Sequence, residues 1–221
     1  MFRTFFNLWK KSSLLSEATQ KTHEMMELAS TIFLKSVRAL LEQQEIKREN
    51  QEIYELDKKL NSYQIDVRRK VLEHLTLSPG QDITSSLIII TIVIDIERIG
   101  DYSKNLLEIL VHYPEVLKGK YFDEIRNTIK TVEEEFPLTM EAFKEADEEK
   151  GKNVMEMHKD LARKCDEWIQ KLIEDKRIKI REAIIAVLLF RYLKRVSAHL
   201  KNIASGVVNP FHRLGYKPKE N

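Results

Sequence analysis

Residues 87–105 read LIIITIVIDIERIGDYSKN, and the secondary structure of this stretch decides the fold of the chain. β-Branched residues crowd its first half, so propensity alone would favour a buried strand. The apolar stripe nevertheless continues at helical spacing through Ile99, Leu106 and Leu110, and no other part of the chain offers strands to pair with it. We therefore predict a central helix whose first half is apolar on all sides and buried.

Apolar residues recur at three- and four-residue spacing along most of the remaining chain, which is typical of amphipathic helices. Breaks with Pro or Gly interrupt this pattern at 77–82, 112–121 and 206–221, and softer breaks lie at 45–50 and 148–151. We predict an all-α chain of six helices, at approximately residues 16–45, 48–77, 82–112, 121–147, 152–175 and 178–206. Pro137 should kink or interrupt the fourth of them.

The two halves of the chain repeat each other. Residues 94–108 (IDIERIGDYSKNLLE) align with residues 191–205 (RYLKRVSAHLKNIAS), with an arginine, a lysine and an asparagine in common positions. Residues 57–61 (DKKLN) align with residues 158–162 (HKDLA), where a lysine and a leucine are shared and the offset is 101 residues instead of 97. Such a duplication predicts two tandem three-helix bundles. The predicted division is an amphipathic N-terminal segment (1–15), a first bundle (16–118), a second bundle (119–206) and a basic C-terminal tail (207–221).

The composition and the missing motifs restrict the function classes. Lys and Arg number 37 against 35 Asp and Glu, and with a net charge of only +2 and no visible helix-turn-helix we expect no direct nucleic-acid partner. The chain has no phosphate-binding glycine loop, no G-x-S-x-G and no Glu-x-x-His motif. The single cysteine, Cys165, excludes an intrachain disulfide and any metal centre that needs several cysteines. We expect a packed thiol at Cys165 and a protein that is not an enzyme.

The residues that could carry chemistry lie in the motif ERIGD at 97–101. Glu97 and Asp101 are four residues apart and share one helix face, where an apolar setting makes unpartnered carboxylates costly. A hard or borderline divalent cation would compensate both charges, although the same spacing is common on solvated faces that pair with Lys or Arg. Gly100 between them predicts a close helix crossing. The further candidate metal ligands are Asp57, Asn61, Glu24 and Glu27.

The second copy of the repeat lacks these carboxylates. Lys194 and Ala198 stand at the two motif positions, and His158 stands where the first copy has an aspartate. A metal is therefore predicted in the first bundle only. We expect the Lys194 ammonium to take the place of a cation and to pair with Asp160 or Glu156.

The ERIGD motif, followed by Asn105, resembles the ERIGD-x-x-x-N signature of PhoU-domain proteins. The SPGQD break at 78–82, the apolar stripe over 57–75 and the tandem repeat are similar to that family as well, so the resemblance covers approximately residues 16–206. It implies an all-α regulator that represses phosphate uptake and phosphate-starvation signalling, with a phosphate ABC transporter and a membrane sensor kinase as partners. It also implies a multinuclear iron or zinc cluster on such motifs, here in the first bundle only.

Both ends of the chain carry candidate docking residues. The first residues place aromatic side chains at helical spacing beside basic ones, which predicts a small amphipathic helix that docks on a membrane surface or a transporter, or folds back on the bundle. The basic C-terminal end would contact a phosphate-rich surface or an acidic partner, or remain solvated. The candidate docking residues are Phe2, Phe5, Phe6, Trp9, Arg213 and Lys217.

These observations favour a non-enzymatic cytoplasmic regulator that binds partner proteins through its bundle faces. No apolar run approaches the roughly 18 residues of a membrane span, and the N-terminal residues lack the small-residue cleavage site of a signal peptide. Peripheral membrane contact and a homodimer remain open. The alternative is a metal-binding helical-bundle enzyme or storage protein unrelated to phosphate signalling, which the missing Glu-x-x-His motif argues against.

Overall fold

A computed structural model describes residues 13–42, 46–113 and 118–216. These residues form six α-helices and no strand, which confirms the predicted all-α fold. The helices are α1 (Ser13–Glu42), α2 (Ile46–Leu77), α3 (Ile83–His112), α4 (Lys120–Glu145), α5 (Glu148–Glu174) and α6 (Ile180–Val208). A short 3-10 turn over Phe211–Arg213 follows α6. Within the described ranges, none of the helices combines the length and the apolarity needed to span a bilayer.

The stretch at 87–105 is helical throughout and forms most of α3. Its β-branched residues accept a helical backbone because α1, α2 and α6 all pack against α3 and cover it on several sides. Ile88, Ile89 and Ile92 are buried in its first half, and Ile96 and Ile99 continue the buried surface along the helix. Burial in the tertiary structure therefore outweighs the strand propensity of the individual residues.

The six helices form two tandem bundles of three, as the repeat predicts. Helices α1, α2 and α3 pack on one another, as do α4, α5 and α6, and α3 joins the bundles by packing against α6. Aromatic contacts join α1 to α4, with the rings of Phe33 and Phe136 5.1 Å apart and those of His23 and Phe143 4.9 Å apart. The buried apolar side chains of both bundles form one continuous cluster.

The predicted position of the break before α5 is wrong. The break before α5 lies at residues 146–147 instead of 148–151, because Ala146 adopts a left-handed conformation and Asp147 caps α5 by accepting hydrogen bonds from the amides of Glu149 and Lys150. Gly151 lies inside α5, where an added Cβ would be 2.7 Å from Val208 Cγ2, so it serves close packing and not a turn. Helix α4 continues through Pro137, so the predicted interruption does not occur, and a kink at this proline stays a prediction.

The segment after α6 folds back onto that helix. The Asn209 side-chain amide donates to the carbonyls of Arg213 at 3.1 Å and Tyr216 at 2.7 Å. The Gly215 amide donates to Ser205 Oγ at 2.7 Å. The predicted four-part division of the chain stays a prediction, but its tail is attached to the second bundle as far as Tyr216.

Candidate functional site

The ERIGD motif places its charged side chains beside α2, where lysine and arginine bridge the carboxylates. Lys104 Nζ lies 2.7 Å from Oδ2 of the buried Asp57 on α2 and 3.2 Å from Asp101 Oδ1 on its own helix. Arg98 lies on the outer side, 3.0 Å from Asp101 Oδ2 and 3.6 Å from Glu97 Oε2. We refer to these five side chains as the α2–α3 charge network, and the Lys104 ammonium is its central cation.

Burial and the neighbouring charges together shift the pKa values of two members of the network, Glu97 and Lys104. Burial raises the pKa of Glu97, the neighbouring Asp101 charge raises it further, and Arg98 offsets part of the effect. Burial lowers the pKa of Lys104, but hydrogen bonds and charge from Asp57 and Asp101 outweigh it, so the net pKa lies above its ordinary value. Lys104 is therefore held as a cation, and it neutralises a carboxylate that would be costly to bury alone.

Gly100 allows the close approach of α2 and α3 that the network requires. A Cβ at this position would lie 2.6 Å from Leu60 Cδ2, 3.5 Å from Asp57 Oδ1 and 3.9 Å from Ile32 Cδ1. Leu60 is fully buried, so its side chain would have to shift within the core. This geometry confirms the predicted close crossing and explains why a residue with poor helix propensity stands inside α3.

We expect Gly100→Val to lower the free energy of unfolding by about 2 kcal/mol, because overpacking at this crossing displaces Leu60 and strains the ion pair of Asp57. Urea denaturation followed by circular dichroism at neutral pH measures the effect. The expected change contradicts helix propensity, which ranks Val above Gly in a helix interior. If the variant is as stable as the unchanged protein or more stable, the crossing of α2 and α3 can accommodate a larger side chain at position 100.

The structure brings together four of the six predicted metal ligands. Asp57, Glu97 and Asp101 belong to the charge network, and the Asn61 amide lies 3.4 Å from Asp57 Oδ2. Glu24 instead pairs with Lys21 at 2.8 Å, and Glu27 is exposed.

These side chains, as arranged, do not fit a metal centre. Over residues 13–42, 46–113 and 118–216, no three or more His, Cys, Asp or Glu side chains are placed to hold a metal ion. The Lys104 ammonium lies between Asp57 and Asp101, where a cation bound by both would have to lie. The arrangement matches the alternative interpretation of the motif, a set of carboxylates paired with Lys and Arg. Metal binding in the first bundle stays a prediction.

The second bundle has a buried hydrogen-bonded chain at the equivalent helix crossing. The repeat aligns Gly100 with Ser197, and Ser197 Oγ donates to Glu135 Oε1 at 2.8 Å. His158 Nδ1, at the position that aligns with Asp57, lies 2.9 Å from the same hydroxyl. Glu135 was not among the residues predicted from the sequence. The helical periodicity of α4 was a signal that could have identified it, because Glu135 falls on the buried face beside Phe136.

Burial keeps both ends of this chain uncharged near neutral pH. Burial raises the pKa of Glu135 to about 8, although the hydrogen bond from Ser197 lowers it in part. Burial also lowers the pKa of His158 to about 4, helped by the charges of Lys201 and Lys194. Glu135 Oε2 is fully buried without a hydrogen-bond partner among the described residues. Ser197 is fully buried too, so no substrate can reach its hydroxyl.

Lys194 does not pair as predicted. Its Nζ lies 2.6 Å from both carboxylate oxygens of Asp166. The predicted partners instead bind basic residues one turn further along α5, Asp160 with Arg163 and Glu156 with Lys159. The cause is the axial register between α5 and α6, which places Asp166 opposite Lys194.

The remaining residues predicted from the sequence do not belong to either polar cluster, or they lie outside the described ranges. Cys165 is buried, and burial raises the pKa of its thiol to about 12, as expected for a packed cysteine. Arg213 belongs to the 3-10 turn and is partly exposed. The docking candidates Phe2, Phe5, Phe6, Trp9 and Lys217 lie outside the described residues.

Comparison with known proteins gives a family match over most of the chain. A family model described as the PhoU domain matches residues 22–110 and 125–207, one segment in each half. A relative from Synechocystis, named phosphate-specific transport system accessory protein PhoU homolog, is 26% identical over 159 residues, which are 70% of this chain and 71% of the relative.

Two crystal structures have the same fold. PhoU from Pseudomonas aeruginosa matches with a TM-score of 0.80 at 22% identity, over 89% of this chain and 96% of that one. The phosphate transport system regulatory protein PhoU from Streptococcus pneumoniae matches with a TM-score of 0.78 at 16% identity, over 87% of this chain and 92% of that one.

Proposed function

The chain belongs to the PhoU-domain family, and from that premise we propose that it is a non-enzymatic regulator of phosphate uptake. It represses uptake and phosphate-starvation signalling by binding a phosphate ABC transporter and a membrane sensor kinase at the cytoplasmic face of the membrane. The observation that carries the proposal is the family match in both halves of the chain. The name of the Synechocystis relative, an accessory protein of a phosphate-specific transport system, agrees with this role.

The geometry of the polar residues supports regulation by binding over catalysis. In the second bundle, the Ser197 hydroxyl lies 2.9 Å from His158 Nδ1, but Ser197 is buried and its hydroxyl donates to Glu135 Oε1. In the first bundle, Asp57 and Lys104 lie beneath an outer layer formed by the exposed Arg98 and the half-buried Asp101. Paired surface charges of this kind contribute to partner choice and association rate. We propose that this face of α3 contacts a partner protein.

A starvation-responsive reporter in cells that lack this chain tests the proposal. We expect the reporter to be active in phosphate-rich medium and to be silenced when the intact chain is restored. The variant Arg98→Glu should fail to silence it, because the exposed charge of the α3 face is reversed, while the protein accumulates normally. Affinity capture from phosphate-rich cells should recover transporter and kinase subunits with the intact chain and fewer of them with the variant.

The matched control is Arg163→Glu on α5. Its side chain is 60% exposed against 54% for Arg98, and it also bridges two carboxylates on its own helix. We expect this variant to silence the reporter fully. A reporter that ignores the presence of the chain would refute regulation of phosphate uptake. Equal failure of both variants would refute the assignment to the α3 face.

A further inference from the structure

The connection between α5 and α6 combines exposed isoleucines with basic residues. Ile173 at the end of α5 is 72% exposed, and Ile180 and Ile184 at the start of α6 are 81% and 55% exposed. The sequence over 171–181 is KLIEDKRIKIR, with five basic and two acidic residues. Exposed apolar residues in a group mark a contact surface more often than isolated ones do. We name residues 171–184 the α5–α6 tip.

The tip has five basic residues against three acidic ones, Glu174, Asp175 and Glu182, so its net charge is positive. Each acidic residue also has a close contact, and Glu182 Oε1 lies 3.7 Å from Lys179 Nζ. Asp175 Oδ2 accepts a hydrogen bond from the Tyr121 hydroxyl at 2.7 Å and lies 3.1 Å from Lys120 Nζ. Its other oxygen accepts from the Arg177 backbone amide at 3.0 Å. Glu174 accepts a hydrogen bond from the side chain of Gln170, one turn earlier in α5. These contacts hold the carboxylates against the helix ends.

The neighbouring helix ends extend the same surface. Arg181 lies over the ring of Tyr113, 5.2 Å from its centroid, just after the end of α3. Lys120, at the start of α4, is exposed beside Asp175. Val111 in the last turn of α3 is also exposed. Three elements therefore present basic and apolar side chains at one end of the protein.

We propose that the α5–α6 tip docks on a membrane surface that carries anionic lipid headgroups. The isoleucines enter the boundary between headgroups and acyl chains, while the long Lys and Arg side chains extend to the lipid phosphates. In the sequence, Lys179 and Arg181 stand on either side of Ile180, and both are exposed. An acidic protein partner fits less well, because the buried centres of protein interfaces are depleted in Lys and other charged residues. The proposal goes beyond phosphate regulation and does not depend on it.

Co-sedimentation of the full chain with lipid vesicles tests the proposal. We expect binding to vesicles of phosphatidylcholine mixed with phosphatidylserine, and weak binding to phosphatidylcholine alone or at high salt. The variant Ile180→Asp should lower the bound fraction on mixed vesicles about tenfold, since it removes an inserted side chain and adds a repelled charge. Aspartate is well tolerated in the first turn of a helix, so α6 should remain folded.

The control Ile65→Asp alters an isoleucine on α2 that is 65% exposed and lies near Arg68 and Arg69, and it should bind as the unchanged protein does. A second variant replaces Phe2, Phe5, Phe6 and Trp9 by Ser. If that variant abolishes binding and Ile180→Asp does not, the N-terminal segment is the membrane contact and the proposal fails. Failure of the unchanged chain to bind mixed vesicles also overturns it. Binding to poly-L-glutamate without binding to vesicles would identify an acidic protein partner instead.

Discussion

Replacement of Lys104 by methionine is expected to lower the free energy of unfolding by about 3–5 kcal/mol, because it leaves the Asp57 carboxylate buried without a cation. The 2.7 Å contact between Lys104 Nζ and Asp57 Oδ2 is the closest link between α2 and α3 in the charge network. Asp57 Oδ1 has no hydrogen-bond partner among the described residues, so the carboxylate has little other compensation. Urea denaturation at pH 7 measures the loss.

The double variant Asp57→Leu/Lys104→Met separates the cost of an orphaned charge from the loss of packing. We expect it to recover most of the lost stability, since an apolar pair of similar volume replaces a buried ion pair at little cost. The control Lys58→Met removes an exposed pair with Glu55 and should change stability by less than about 1 kcal/mol. If Lys104→Met costs no more than this control, the buried pair does not hold α2 against α3.

The secondary structure could be predicted closely because burial and periodicity agree along most of the chain. The decisive stretch at 87–105 was helical because its apolar positions continue at helical spacing beyond the β-branched run, and α3 has neighbours on several sides. The sequence prediction misplaced the break before α5, because a glycine can mark either a turn or a close helix contact. Gly151 looks like a turn residue in the sequence, whereas close packing on Val208 and Ala204 is visible only in three dimensions.

The candidate site was less predictable, because its residues come from different helices. The carboxylates at 97 and 101 were evident from their spacing, but the position of Lys104 between Asp57 and Asp101 depends on the register of α2 against α3. The pairing of Lys194 with Asp166 depends on a register of the same kind between α5 and α6. Helical periodicity gives the face on which a residue lies, but it does not give the axial offset between two helices.

Glu135→Gln is expected to make the protein more stable above neutral pH. Burial raises the pKa of Glu135 from 4.5 to about 8 in the folded protein, so the folded state keeps a proton that the unfolded chain releases. Stability therefore falls as the pH rises from about 4.5 to about 8, by about 1.4 kcal/mol per pH unit over the middle of that range. Glutamine does not ionise, so the variant should lack this dependence and gain about 3–5 kcal/mol at pH 8.5.

Measurements between pH 6.5 and 8.5 separate Glu135 from His158. Cys165 affects stability mainly above this range, because the ordinary pKa of its thiol is 9.0 and burial raises it to about 12. Burial lowers the pKa of His158 from 6.5 to about 4, so the stability linked to its neutral form is lost only as the pH falls below 6.5. The neighbouring Glu134 is exposed on the same helix, and Glu134→Gln should keep the slope of the unchanged protein. Equal slopes in Glu135→Gln and Glu134→Gln would mean that Glu135 is ionised when folded. A flat profile for Glu135→Gln alone would establish that the second bundle contains a neutral carboxyl group at the crossing where the first bundle has a charged pair.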